Sequence, residues 1–219
     1  MERSAQPWVI KLTHWANVVF LTIMVGSGLR ILVAYPRLGP RGNDYGWYPF
    51  QGAKPPAILT MGGWLAGARH WHFAFGWFVI ANALIYATYL FASGEWRRRL
   101  FFPRRDALNA WQTLLHDLHL RKAPPISVGL YNGMQRFSYT GVLALAPLLV
   151  FSGLAMYKPV QFPRLTALVG GYDAARAIHL IVTGLLALFA VVHITQVLRH
   201  PRTLLDMSIS SRQRTEGNP

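Results

Sequence analysis

The chain has 219 residues, of which 53% are hydrophobic and only 14% charged, with a mean hydropathy of +0.25. That is too apolar for an ordinary soluble domain, and the apolar residues fall in long runs, so a single integral membrane domain fits better. The lack of cysteine excludes disulfides, thiolate-ligated clusters and copper centres, and thioether-anchored haem. The formal net charge of +14 comes from lysine and arginine clustered between apolar runs, a pattern that lipid head groups and membrane topology explain more simply than nucleic acid does.

Residues 1–11 carry no small-residue cleavage site after the first apolar run, so that run is expected to stay in the mature protein as a span. Four runs are long enough to cross a bilayer: about 12–33, 70–91 (with a start as early as Trp64), 137–157 and 174–198. Each holds roughly 20 mostly apolar residues, as a spanning helix needs. Strands are not expected, because an open sheet cannot satisfy its backbone in lipid. The fold class is therefore all-α: an integral membrane four-helix bundle over 1–206, followed by a polar tail over 207–219.

Orientation follows from the basic residues. The link between spans two and three holds Arg97, Arg98, Arg99, Arg104, Arg105, Arg121 and Lys122, and the C-terminal tail adds Arg199, Arg202, Arg212 and Arg214. These segments read as cytoplasmic, and an even number of spans puts the N-terminus with them. Loops 35–63 and 158–173, with their prolines and glycines, fall on the outer side. Arg30, Arg37, Arg41, Lys54 and Arg69 near the first of them weaken the asymmetry. Trp8, Trp15, Trp64, Trp71 and Trp96 lie near span ends, where aromatic belts form. Ser27-Gly28-Leu29 in span one is echoed by Ser152-Gly153-Leu154 in span three. The match is short and reads as chance, although each glycine would let a flat ligand or a helix approach closely.

The histidines carry the chemistry. His179 and His193 lie fourteen residues apart in span four, which is ~21 Å of rise and nearly a whole number of turns. Both imidazoles then share one face, and a histidine inside a membrane helix is a functional candidate by default. By depth, His193 falls in an inner layer with His14, and His179 in an outer layer with His70 or His72. Two layers of paired axial nitrogens are what two b-type haems across a bilayer require. His70 and His72 point ~200° apart on a helix, so only one can face the interior; His72, deeper in the apolar run, is favoured, with His70 as the alternative ligand. The rival reading of these histidines is hydrogen bonding between helices. His116 and His119 read as a solvated amphipathic patch, and His200 as a helix-end residue. A shared zinc ion is excluded for His179 and His193 by their separation.

The segments Lys11-Leu12-Thr13-His14-Trp15 and Arg69-His70-Trp71-His72-Phe73, with His179 and His193 in span four, resemble the di-haem cytochrome b subunits of respiratory formate dehydrogenases, NiFe-hydrogenases and related molybdopterin oxidoreductases. The resemblance covers about 7–200. It implies a multi-pass protein of the bacterial cytoplasmic membrane with two haem b groups. It pairs His14 with His193 and His72 with His179, in agreement with the depth argument, and Arg69, three residues before His72, supports His72 over His70. The His70–His72 doublet looks like the branch that accompanies sulfite-oxidase-like molybdopterin proteins, which implies a periplasmic redox partner of that kind on the outer loops. The family exchanges electrons with quinone beside the inner haem. Asn132 and Gln135 share a helical face there and Tyr139 lies one turn on, so they are candidate quinone contacts, with Asn17 beside His14. The bland reading of Asn132 is an N-terminal cap. Arg69, Arg176 and Arg30 at the outer layer, and Lys11 and Arg136 at the inner one, are candidates for haem propionates or else interface anchors. Two other readings compete with the electron conduit: a stand-alone quinone-linked haem b oxidase of a small oxidant such as superoxide, and a transporter or scaffold with histidines as polar contacts.

Overall fold

The computed structural model describes residues 6–123, 131–199, 201, 204, 207 and 208, with the backbone alone at Arg41. His200, Arg202, Arg212, Arg214 and most of the polar tail lie outside the described residues. Seven α-helices and two short 3-10 turns make up the regular structure among the described residues, with no strand. They are α1 (Trp8–Ala34), α2 (Leu65–Ala92), α3 (Trp96–Arg99), α4 (Pro103–Asp117), α5 (Gly133–Tyr157), α6 (Pro163–Leu168) and α7 (Tyr172–Arg199).

Four of these, α1, α2, α5 and α7, are long and apolar enough to cross a membrane. They match the four expected spans and overrun them at most ends. At 25 to 28 residues each, they reach ~40 Å, enough for the hydrocarbon core and the head-group regions. Local chemistry sets their limits. Pro36 follows α1, and a residue before proline is pushed out of the helical region; Tyr35 accordingly sits at φ −130°. Gly94, at φ +76°, closes α2 in the left-handed conformation that favours glycine. Gly170 and Gly171, both at positive φ, precede α7, and Asp173 lies in its first turn, where a negative charge suits the helix dipole. Leu84, Leu188 and Val191 are each more than 60% exposed, a costly state in water and the natural one for side chains that face lipid.

The chain divides into two compact units, residues 1–88 with 193–219, and residues 89–192. In the first, the Asn82 amide donates to the Thr13 carbonyl at 2.9 Å and to Asn17 Oδ1 at 2.8 Å, tying α2 to α1. The loop before α2 lies against α1, with the Met61 N–H on the Gly26 carbonyl at 2.9 Å. In the second unit the basic link between the second and third spans holds two helices, α3 and α4. Pro103 starts α4, and Asp106 in its first turn is buried. Its carboxylate accepts from Arg105, from the Phe102 N–H and from Arg136 of α5, all at 2.8 Å. A Cβ on Gly133 would fall 2.5 Å from the Asp106 carbonyl oxygen, so only glycine lets α4 and α5 approach this closely.

Candidate functional site

Two of the four expected ligand histidines sit in near-identical settings. On α1 the Ser27 hydroxyl donates to the Ile23 carbonyl at 2.6 Å, a back-bond to the preceding turn. Its oxygen then faces His72 Nδ1 at 3.1 Å, and the Met24 carbonyl faces the same nitrogen at 3.1 Å. Both oxygens act as acceptors, so Nδ1 carries the proton and Nε2 keeps its lone pair. Gly28 makes room: a Cβ there would meet His72 Cε1 at 3.2 Å.

The second setting, on α5 and α7, repeats the first. The Ser152 hydroxyl donates to the Leu148 carbonyl at 2.6 Å. Ser152 Oγ and the Leu149 carbonyl each lie 3.1 Å from His179 Nδ1. A Cβ on Gly153 would meet His179 Cε1 at 3.3 Å. Both serines are fully buried. The Ser-Gly-Leu echo that reads as chance in the sequence is therefore the structural signature of a repeated histidine cradle.

His14 and His193 meet differently. Their ring centroids lie 6.0 Å apart with planes at 65°. Metal–imidazole bonds of ~2 Å place two rings that share one ion roughly 6 Å apart, so this spacing suits a common axial pair. Trp15 flanks His14 edge-on and donates its indole N–H to the Met207 carbonyl at 2.9 Å. Asn82, which the sequence reading missed, reaches the backbone beside His14; a lone amide inside an apolar run was its only signal.

The remaining candidates divide. His70 is exposed, as is Trp71 beside it, whereas His72 is half-buried. Arg69 is also exposed, with its guanidinium 5.6 Å from the centre of the Phe73 ring. Arg30 and Arg176 are half-buried, one turn in from the C-terminal end of α1 and from the N-terminal end of α7. Lys11 is buried, and Arg136 is held by Asp106. Asn132 and Gln135 form a capping box at the start of α5: Asn132 Oδ1 accepts from the Gln135 N–H at 2.8 Å, and Gln135 Oε1 from the Asn132 N–H at 3.1 Å. The capping reading thus accounts for both amide oxygens, and each NH2 end is left to act as a donor. Tyr139 lies edge-on to Tyr131 and Phe189. His116 Nδ1 lies 3.0 Å from the Arg121 carbonyl, within the turn that ends α4. Among the described residues no three His, Asp or Glu side chains converge.

Apolar spanning helices that carry half-buried histidines with the proton held on Nδ1, as at His72 and His179, are the framework of a membrane b-type cytochrome. The chain belongs to the prokaryotic cytochrome b561 family, whose model matches residues 5–211. It is also similar, at 40% identity over 202 residues, to a protein of Azospira oryzae named as a protein-methionine-sulfoxide reductase subunit, YedZ1; the match covers 92% of this chain and 93% of that one. No solved structure matches it. The family implies haem b, and the chain is a multi-pass bacterial membrane protein and a b-type electron-transfer subunit.

Proposed function

We propose that the chain carries electrons across the bacterial cytoplasmic membrane, between the quinone pool and a periplasmic redox partner, by way of two bis-histidine haem b groups. His14 and His193 hold one haem and His72 and His179 the other. The second pairing rests on the family resemblance and on depth in the sequence. The observation that carries the reading is the twin cradle: hydrogen bonds to a carbonyl and a serine fix Nδ1 as the protonated nitrogen of His72 and of His179, which is how proteins prepare an imidazole as a ligand. Each haem, when bound, accepts and gives up one electron at a time. Two imidazoles holding one haem would reserve its iron for electron transfer rather than for substrate.

The Azospira oryzae relative's name supplies a direction: a sulfoxide reductase consumes electrons. A quinol releases two electrons and two protons, and reduction of one methionine sulfoxide takes up two of each and releases water. Both termini and the basic link lie in the cytoplasm. The partner, a sulfite-oxidase-like molybdopterin subunit, docks on loops 35–63 and 158–173. Asn132 and Gln135 are proposed as donors to a quinone carbonyl through the NH2 ends that the capping box leaves, with Tyr139 one turn on. Asn17 is a further candidate carried from the sequence. Arg69, Arg176 and Arg30 are proposed to offset haem propionates at the outer side.

The test is the reduced-minus-oxidised spectrum and the haem iron content of the purified full chain. Two haems per polypeptide are expected. A chain free of haem iron, or one without an α-band in the b-type region, sinks the reading.

A further inference from the structure

The two cradles share more than their outline. Val25, Ser27, Gly28 and Leu29 recur as Val150, Ser152, Gly153 and Leu154, while Met24 and Gly26 are replaced by Leu149 and Phe151, and Thr22 by Pro147. The serine back-bond at 2.6 Å and the two contacts on Nδ1 at 3.1 Å are nonetheless the same in both cradles. Packing of α1 on α2 and of α5 on α7 does not by itself require a hydroxyl at these positions. Alanine would fill the space of serine and leave the helices in contact. What the hydroxyl adds is an oriented lone pair, because its own proton is committed to the carbonyl four residues back.

We propose that Ser27 and Ser152 are matched positioning residues, which lock His72 and His179 in one orientation and raise the electron donation of both Nε2 atoms, so that the haem they ligate has a lower reduction potential than it would have without the two hydroxyls. This rests on the two-haem reading above. A hydrogen bond that pulls on the Nδ1 proton puts negative charge on the ring, makes the ligand more basic and favours ferric over ferrous iron. Each Nδ1–H is shared between two acceptors, and loss of the serine removes one of them. The glycines serve the same end by geometry: a methyl at Gly28 or Gly153 presses on Cε1 and turns the ring.

The experiment is a potentiometric titration of the α-band of the detergent-purified full chain, with haem content measured beside it. Wild type is titrated first; fewer than two haems there defeats the two-haem reading and is seen before any substitution is made. With two haems present, Ser27→Ala and Ser152→Ala are each expected to raise the midpoint of the same one of two waves, and the double variant to raise it further, with haem content unchanged. Ser27→Thr, which keeps the hydroxyl, is expected to return that midpoint toward wild type. Midpoints unchanged in both alanine variants overturn the proposal, as does a shift of different waves by the two. Haem loss in Ser27→Ala that Ser27→Thr shares assigns the serine to packing and overturns it too. Gly28→Ala gives an independent spectroscopic check: a changed low-spin electron paramagnetic resonance signal from one haem supports the locked orientation, and an unchanged signal counts against it.

Discussion

The two units of the chain hold the same histidine setting and fasten their helices by different means. In residues 1–88 the tie between α1 and α2 is a neutral amide, Asn82, on the Thr13 carbonyl and Asn17. In residues 89–192 the tie between α4 and α5 is ionic: Asp106 holds Arg136, with Arg105 as a second cation at 2.8 Å. The fastenings are free to differ because either chemistry satisfies the groups it buries. Under the proposed function the cradles around His72 and His179 are not free in this way, since a haem ligand needs its proton held on Nδ1 and its Nε2 lone pair kept for iron. What is common to the two units therefore marks function, and what differs marks assembly.

The largest expected effect breaks the likeness of the cradles to the rest of the histidines. His72→Ala and His179→Ala are each expected to lose one haem of two, as is His14→Ala. His70→Ala, at an exposed site one residue from Trp71, is expected to keep both. Haem iron per polypeptide decides it; retention in His72→Ala with loss in His70→Ala reverses the assignment of the ligand.

The next effects separate the fastenings. Asp106→Ala removes the carboxylate 2.8 Å from Arg136, whose side chain is 9% exposed, and removal of one partner from a buried ion pair costs about 3–5 kcal/mol. Asn82→Ala removes a neutral donor between spanning helices, worth ~1 kcal/mol. Unfolding of the purified chain in mixed micelles should show the first as several-fold the larger; equal losses would mean that the ionic tie adds nothing beyond hydrogen bonding. Gly133→Ala falls between them. Its new Cβ meets backbone at Asp106 and Ala110 within 2.6 Å, and overpacking of this kind costs about 1–3 kcal/mol.

Much of this was legible in the sequence, for reasons that particular residues make plain. The four spans are long apolar runs, and a run needs no partner to be recognised. The fourteen-residue step from His179 to His193 is a property of one helix, so its meaning survives without knowledge of the fold. Ser27 and Ser152 are different. Each acts on a histidine in another helix, 45 and 27 residues away, and Ser-Gly-Leu is too short to stand out from chance until those histidines are placed beside it. Asp106 was lost among the arginines of the link, because charge counting does not show which charges are buried and paired. Asn132 and Gln135 fit a quinone contact and a capping box equally on spacing, and only the hydrogen bonds show that the box takes both oxygens.

The smallest expected effect sharpens the contrast in chemistry between the fastenings through pH. Burial pushes the Asp106 carboxyl up, but hydrogen bonds from Arg105, the Phe102 N–H and Arg136 outweigh it and hold the group at about 2, below its ordinary 3.8. A carboxylate depressed in the folded state binds fewer protons there than in the unfolded chain, so its stabilisation is complete above the unfolded value and is lost as pH falls through the folded one. The ionic tie should therefore contribute a constant amount from pH 7 to pH 5 and lose it between about pH 4 and pH 2. The measurement is the difference in Tm between wild type and Asp106→Ala across that range. It should be flat and then close toward zero, while the difference between wild type and Asn82→Ala, which involves no titrating group at the tie, should keep its value. A wild-type advantage over Asp106→Ala that persists unchanged at pH 2 would show that the buried carboxyl acts through hydrogen bonds it can make when protonated, and that the two fastenings are less different than their charges imply.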